Sequence, residues 1–318
     1  MATATYNSRN AGSLIAPLAA SDLIIDPLSG DNALNAAEAA QPLVISGTTT
    51  QTAPDSSVTV LLNDVPYSAA VNADGTWRAT VPVEAVSALP DGPLPVVATI
   101  TLADGSTQRT EATLAVHVTN LPQAVLNPPA TLNLAQTQSD QTLTGSTGVS
   151  GDGQSVVVAL NGQTYRGEVA ANGSWSVTLP SGALQALAEG SYPVNVTVTD
   201  AAGNLSTTGG SLALDITAPQ LAIDPVTGDN LLNQRDVQNG ITVTGQSGEA
   251  GSTVTVDFNN QAYTATVAAD GTWRVAVPAA DLAGLTGDYA LTATTTDSAG
   301  NPATARQDRK STRLNSSH

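Results

Sequence analysis

The chain has no cysteine, a single lysine and few aromatic residues, which make up 3% of its 318 residues. The lack of cysteine excludes a disulfide framework, thiolate metal sites and a cysteine nucleophile. With so little aromatic bulk, the 41% of residues that are hydrophobic suit small β-domains packed with Val, Leu, Ile and Ala better than one large enzyme core. Basic residues are scarce too, and the formal net charge of −17 predicts repulsion from nucleic acid and from anionic membranes.

Long apolar segments are also missing. No stretch is long enough to span a bilayer, so we expect no membrane insertion. Residues 1–20 lack the basic stretch and long apolar run of a signal peptide, and we treat them as an N-terminal flank. Residues 308–318 resemble the in-frame translation of a sequencing adapter and contain the only lysine, Lys310. We exclude them from the fold as not native, which leaves the rest of the chain with a formal charge of −19.

One motif recurs three times along the chain. Each copy ends with Gly, then Thr or Ser, then Trp. The tryptophans are spaced 98 residues apart, at Trp77, Trp175 and Trp273. A tyrosine stands ten residues before each tryptophan. These tyrosines are Tyr67, Tyr165 and Tyr263. The period is too long for a solenoid repeat and corresponds to one small β-sandwich domain.

Each repeat reads as short strands separated by turn residues. Alternating runs such as residues 57–62 and 76–81 flank Asp-Gly or Asn-Gly pairs, a strong signal for a β-hairpin. The sequence therefore predicts an all-β chain of three tandem sandwiches, residues 21–120, 121–217 and 218–307. Short Pro-containing linkers favour an extended array. Because the adapter-like residues begin at 308, we expect the third sandwich to lack its last strand and to expose a sheet edge.

Two of the repeats open with nearly the same residues. Ile25-Asp26-Pro27-Leu28-Ser29-Gly30-Asp31-Asn32 recurs as Ile223-Asp224-Pro225-Val226-Thr227-Gly228-Asp229-Asn230. Together with the Asp-Gly-Thr-Trp turns, the loop at residues 200–204 and the Asp-x-Thr-Ala-Pro linker at 215–219, this resembles the immunoglobulin-like (Ig-like) repeats of giant bacterial adhesins and biofilm-associated proteins. The resemblance covers about residues 22–305. It implies Greek-key Ig-like sandwiches, export and an extracellular location at the bacterial cell surface.

The same resemblance implies a structural role. It favours a spacer or stalk that supports adhesion or biofilm cohesion, whose partners are neighbouring repeats of the same chain. The alternative is a binding module whose loops or sheet faces recognise a host or matrix glycan or protein. We expect no enzyme, because His117, the one histidine outside the tail, has no partner His or Cys and nothing marks a nucleophile turn.

The repeated aromatic residues have two interpretations. The three tryptophans could form a sugar-stacking row, one per domain, or pack inside the domains. Their position directly after a tight turn in every repeat favours packing, and the same holds for the tyrosines.

Family members often bind calcium where adjacent domains meet, so the resemblance also implies structural calcium. The residues give an independent reason, since Ca²⁺ takes about six to eight oxygen ligands and Asp and Asn cluster in the loops. A junction site would combine the Gly-Asp-Asn loop of one domain, the linker carboxylate, and the Asp-x-x-Gly-Asn loop of the next. The candidate ligands are Asp31, Asn32, Asp200, Asn204, Asp215, Asp229, Asn230, Asp297 and Asn301.

Both internal junctions depart from this full set. Between the first two domains, His117 stands where the aligned linker carries Asp215, and between the second and third, residues 128–131 replace the Gly-Asp-Asn loop. Asp229 and Asn230 would serve a following domain. The hairpin of the first domain, residues 103–106, is degenerate. The same loop sequences are good turns in which Asp and Asn side chains bond the local backbone, so both the calcium and the turn interpretation stay open.

Overall fold

The computed structural model describes residues 22–102, 104–151, 153–227, 231–283, 285 and 287–311. In these residues six β-sheets form three sandwiches, each with its own hydrophobic core. This confirms the predicted all-β fold. None of the helices in the described ranges has the length and apolar character needed to cross a membrane.

The first sandwich shows the arrangement that the other two repeat. Its elements are β1 (Leu23–Ile25), β2 (Ala33–Asn35), β3 (Leu43–Thr49), β4 (Ser57–Leu62), β5 (Val65–Ala70), β6 (Thr76–Val81), α1 (Val83–Val86), β7 (Gly92–Thr101) and β8 (Thr107–His117). One sheet has the strand order β1-β3-β6 and the other β2-β8-β7-β4-β5. Strand β2 runs parallel to β8, and the other pairs are antiparallel. The chain passes repeatedly from one sheet to the other, as a Greek key does.

The second and third sandwiches follow the same path. The second contains β9 (Val125–Leu126), α2 (Leu134–Thr137), β10 (Gln141–Ser146), β11 (Ser155–Leu160), β12 (Gln163–Glu168), β13 (Ser174–Leu179), α3 (Ser181–Gln185), β14 (Gly190–Thr199) and β15 (Leu205–Leu214). The third contains β16 (Leu221–Ile223), β17 (Leu231–Leu232), α4 (Gln234–Asn239), β18 (Ile241–Ser247), β19 (Thr253–Phe258), β20 (Gln261–Thr266), β21 (Thr272–Val277), α5 (Ala279–Leu282), β22 (Gly287–Thr296) and β23 (Pro302–Ser311). In the second, an isolated parallel bridge between Leu132 and Leu214 takes the place of the β2–β8 pairing.

Alternation along the strands builds the three cores. In β11 the side chains of Val156, Val158 and Leu160 are buried, while their neighbours in sequence face the other side. Successive side chains of a strand point to opposite faces of its sheet, so a period of two places every second residue between the sheets. The cores are therefore filled by small aliphatic side chains, as the composition indicates.

Each core contains one tryptophan, which packs directly over a glycine of the neighbouring strand. Trp77, Trp175 and Trp273 are 1 to 3% exposed, which confirms the packing interpretation. Trp175 on β13 pairs with Gly145 on β10, and a Cβ at Gly145 would overlap both the indole ring and the carbonyl oxygen of the adjacent strand. The same cross-strand pair recurs in the first and third sandwiches. Only glycine leaves room for the ring at these positions.

The third sandwich differs from expectation at its C-terminal strand. The sequence predicted that this strand would be missing, but β23 pairs with β22 over ten residues and includes residues 308–311 of the adapter-like segment. A β-ladder is formed by backbone N–H and C=O groups, so residues foreign to the domain can still extend it. The sheet order of the third sandwich is therefore that of the first.

The linkers between sandwiches are short. Strand β8 ends at His117 and β9 begins at Val125, while β15 ends at Leu214 and β16 begins at Leu221. With so few connecting residues, the end of one sandwich lies against the β-hairpin loops of the next. Five of the predicted ligand residues lie at these two joints: Asp200, Asn204, Asp215, Asp297 and Asn301.

Candidate functional site

The candidate site is the pair of joints between successive sandwiches. At each joint, the loop that connects the last two strands of the following sandwich reaches back to the preceding one. These loops are residues 200–204 and 297–301, and we call them the joint hairpins. Within each, the first Asp accepts hydrogen bonds from backbone N–H groups of its own loop, a turn geometry that Asp and Asn favour.

At the first joint, the side chain of Asn204 connects the second sandwich to the first. Its Oδ1 accepts a hydrogen bond from the backbone N–H of Ala36 at 2.9 Å, and its Nδ2 donates to the carbonyl oxygen of His117 at 2.9 Å. Both partners belong to the first sandwich. Nδ2 also donates to Oδ2 of Asp200 at 2.8 Å, which holds the side chain in place within its own loop. One amide group therefore connects the two domains by two direct hydrogen bonds.

Asn301 repeats this geometry at the second joint. Its Oδ1 accepts from the N–H of Leu134 at 2.9 Å, and its Nδ2 donates to the carbonyl oxygen of Asp215 and to Oδ2 of Asp297, both at 2.8 Å. Asn301 is only 2% exposed, so its full set of partners is needed to offset the cost of burying an amide. Burial raises the pKa of Asp297, but hydrogen bonds, led by that of the Asn301 side chain, outweigh it and lower the pKa below its usual value.

The first sandwich has the same hairpin without these side chains. The loop at residues 102–106 makes the same two backbone hydrogen bonds as the joint hairpins. Leu102 and Ser106 occupy the positions of the joint-hairpin Asp and Asn. Asp104 instead accepts from the N–H and hydroxyl of Ser106, and the bond from that hydroxyl lowers the pKa of Asp104. This hairpin therefore has the turn but not the amide that connects two domains.

The other predicted ligands take different positions. Asp31 accepts from the N–H of Ala33, and Asn32 accepts from the N–H of Leu28, so both stabilise their own turn. Asp215 lies at the second joint, where its carbonyl oxygen is a partner of Asn301. Asp229 and Asn230 lie outside the described residues. The structure thus brings together Asp200 with Asn204, and Asp215 with Asp297 and Asn301.

The donor set at the joints does not fit calcium. Within the described ranges, no three His, Cys, Asp or Glu side chains form a group that could hold a metal ion. The first joint has one carboxylate from the predicted set, Asp200, and its oxygens already accept three hydrogen bonds. Calcium needs about six to eight oxygens and no N–H donor among them, whereas an Asn Nδ2 group lies between the carboxylate and the carbonyl at both joints.

One buried side-chain oxygen at the first joint accepts no hydrogen bond from the described residues. A cleft of about 530 Å³ there is lined by residues that include Asp91, His117, Gln154 and Asp200. Oε1 of Gln154 is buried without a hydrogen-bond partner in the described part of the chain. A single free amide oxygen is what an ordered water satisfies, and it does not complete a calcium ligand set.

Asp91 is a joint residue that the sequence analysis missed. Its carboxylate accepts from the N–H groups of Val118, Thr119 and Asn120 and from the Thr119 hydroxyl, at 2.7 to 3.3 Å. Burial raises its pKa, but these hydrogen bonds outweigh burial and lower the pKa to about 2. Asp91 thereby fixes the path of the first linker. The available signal was an acidic residue directly before a glycine, which recurs at Glu189 in the second repeat.

We expect Asp91→Ala to release the first linker. Amide hydrogen exchange at residues 118–120 should accelerate, and the first sandwich should lose about 1 kcal/mol of unfolding free energy, a value reduced for solvent screening. The folded-state pKa lies below the ordinary value of 3.8, so this contribution is complete above about pH 4 and is lost as the pH falls through about 2. Asp104→Ala, in an exposed turn, is the matched control. Unchanged exchange in the linker would contradict the assignment.

The family is identified by comparison with known domains. The family model of the bacterial Ig-like domain matches residues 135–216 and 226–309, more than half of the chain. The chain belongs to the bacterial Ig-like domain family. The resemblance noted from the sequence is thereby confirmed, and the strand order of the three sandwiches is the Ig-like one.

Solved structures of bacterial Ig-like repeats resemble the chain. A Ca²⁺-stabilized adhesin that helps an Antarctic bacterium reach out and bind ice has 28% identity, covering 92% of this chain and 74% of that chain, with a TM-score of 0.45. A 1.5-MDa bacterial ice-binding adhesin has 30% identity over 92% and 96% of the two chains, also with a TM-score of 0.45. A single Ig-like domain from the M. primoryensis ice-binding adhesin has 31% identity over 30% and 98%, with a TM-score of 0.26. No curated protein matches the chain.

Proposed function

We propose that this chain is a spacer segment of a bacterial cell-surface adhesin, displayed outside the cell, in which Ig-like repeats supply reach and stiffness. The observation that carries the proposal is the repeated joint, in which an asparagine amide bonds the following sandwich to the preceding one at two successive positions. Domains that share only a flexible linker move freely, so joints built in the same way twice support a mechanical role.

The composition and the comparisons also support a spacer function. Adhesins are among the proteins that the chain resembles. A strongly negative chain, with a formal charge of −17, stays soluble and disfavours collapse of one repeat onto another. The three tryptophans that a sugar-stacking surface would need lie inside the cores, so nothing specific favours the glycan-binding alternative. The proposal includes no calcium at the joints, because the donor sets do not fit it.

The proposal is tested by small-angle X-ray scattering of the whole chain, recorded in chelator and again with added calcium. We expect the scattering of a rod with the cross-section of one sandwich and the length of three, and the same curve in both buffers. A compact particle would contradict a spacer. An elongated particle that needs calcium for its length would keep the spacer and reject metal-free joints.

A further inference from the structure

The joint asparagines, Asn204 and Asn301, contact main-chain atoms of the preceding sandwich. Each amide accepts from one backbone N–H and donates to one backbone carbonyl. Because a peptide N–H only donates and a peptide carbonyl only accepts, these two partners fix which end of the amide is oxygen. The side chain is thereby oriented without ambiguity at both joints.

The main-chain part of this contact is the same at both joints. At the second joint, Nδ2 of Asn301 also lies 3.4 Å from Oδ1 of Asp215, and Nδ2 of Asn133 donates to the carbonyl oxygen of Ala299. The carbonyl that accepts from Nδ2 belongs to His117 at the first joint and to Asp215 at the second. The N–H that donates to Oδ1 belongs to Ala36 at the first and to Leu134 at the second. Four different side chains thus present the same two backbone groups.

The Nδ2 group also occupies the place where a cation would have to bind. At both joints it lies between a carbonyl oxygen of one domain and a carboxylate oxygen of the next, donating one hydrogen bond to each. A bridging cation would need these same two oxygens as ligands, with no N–H donor between them. The amide therefore supplies the positive partial charge that joins the two oxygens.

We propose that Asn204 and Asn301 are the docking residues of the array, which bind the main chain of a preceding Ig-like sandwich and hold each joint without a metal ion. This inference rests on the proposed spacer function and adds its binding residues and the kind of partner. The partner is any sandwich that presents one N–H within two residues after the segment that pairs in parallel with its last strand, and one carbonyl at the end of that strand. The hairpin with Leu102 and Ser106 cannot dock in this way.

The experiment measures interdomain distances by double electron–electron resonance on the whole chain. Since the chain has no cysteine, spin labels can be attached at introduced cysteines alone. Thr80, Thr178 and Ala276 are exposed and lie at equivalent positions of β6, β13 and β21. The label pair Thr80→Cys with Thr178→Cys spans the first joint, and Thr178→Cys with Ala276→Cys spans the second.

In chelator, the wild-type chain should give a narrow distance distribution for both pairs. Asn204→Ala should widen the distribution across the first joint at least about two-fold, since relative motion is the default for domains with small interfaces, and should leave the second joint unchanged. Asn301→Ala should do the reverse. Asn172→Ala, in a hairpin turn whose side chain bonds only its own loop, is the matched control and should widen neither.

A second variant distinguishes loss of the hydrogen bond at the joint from damage to the joint hairpin. Leu134→Pro removes the N–H that donates to Asn301 but leaves residues 297–301 untouched. Leu134 is the first residue of α2 and is 49% exposed, and the preceding Asn133 is extended, so proline is tolerated there. It should widen the second joint as Asn301→Ala does, while circular dichroism stays that of the folded wild type.

The outcomes distinguish the two proposals. Narrow distributions in the alanine variants would overturn the docking role while leaving an elongated spacer intact. Wild-type distributions that are wide in chelator and narrow in calcium would overturn the metal-free joint. Wide distributions in wild type under both conditions would overturn both the docking role and the stiffness on which the spacer function rests.

Discussion

Gly145→Ala is expected to destabilise the second sandwich by about 3 kcal/mol, the upper end of what overpacking a core costs. The added Cβ would overlap the carbonyl oxygen of Val125 and the Cζ2 atom of Trp175. Neither group can move independently, because Val125 belongs to β9, which pairs with β10 through Gly145 itself, and the ring is buried. The sandwich must either displace β9 or shift its only tryptophan, and both cost packing that close-packed interiors do not recover.

The effect is measured by hydrogen exchange across residues 141–179 and by thermal unfolding. Gly182→Ala is the matched control, since a Cβ at Gly182 in α3 meets nothing within 4 Å. That change should be neutral or stabilise by up to about 1 kcal/mol through helix propensity. Equal stability of the two variants would show that the tryptophan does not require a glycine opposite it.

The second large effect is a stabilisation of the third sandwich. The register of β22 and β23 places positions 309 and 311 opposite Tyr289 and Gly287. In the first sandwich the equivalent row holds Leu114 and Val116, and in the second Leu212 and Leu214, all buried. The double variant Arg309→Leu, Ser311→Leu restores this apolar row.

We expect this double variant to raise the unfolding free energy of the third sandwich by about 3 kcal/mol, because a buried leucine contributes about 1.5 to 3 kcal/mol. Calorimetry of the whole chain should show the corresponding transition at a higher temperature. Asp308→Leu is the matched control, since Asp308 is exposed on the same strand and a leucine there buries little. No gain from the double variant would contradict the equivalence of this row with the buried rows of the first two sandwiches.

Local turn chemistry made much of the fold predictable. The Asp-Gly and Asn-Gly pairs indicated hairpins, and in the structure Asp74, Asn172 and Asp270 each accept from the N–H and hydroxyl two residues on. These contacts span only neighbouring residues, so the sequence contains all that determines them. The strict spacing of the tryptophans likewise indicated one core per repeat.

Contacts between distant residues were not predictable in the same way. The aspartate at 91 reaches a linker that follows it by a full hairpin, and no local pattern marks such a partner. The glycine opposite each tryptophan recurs in every repeat, which was a usable signal, but its reason is visible only when the two strands are paired. The periodicity of a sequence indicates which residues of one strand share a face, but it does not indicate which residues contact each other across two paired strands.

At the joints, a comparison of aligned side chains gave the wrong expectation for a different reason. From the sequence, the histidine at 117 counted as a defect, because an aligned linker has an aspartate there. The structure uses the carbonyl oxygen of that residue and not its side chain. Every residue except proline has the same main-chain N–H and C=O groups. A different side chain at position 117 therefore leaves the contact in place.

This reliance on main-chain atoms has a consequence for how such a protein changes over generations. If the joints dock as proposed, a new neighbour that recombination brings beside a repeat has to present a strand end and a free N–H in the right place. The outer faces of the sheets can then diverge under selection without disturbing the connection. Copy number, and with it the length of the proposed spacer, would then be a property that recombination adjusts one domain at a time.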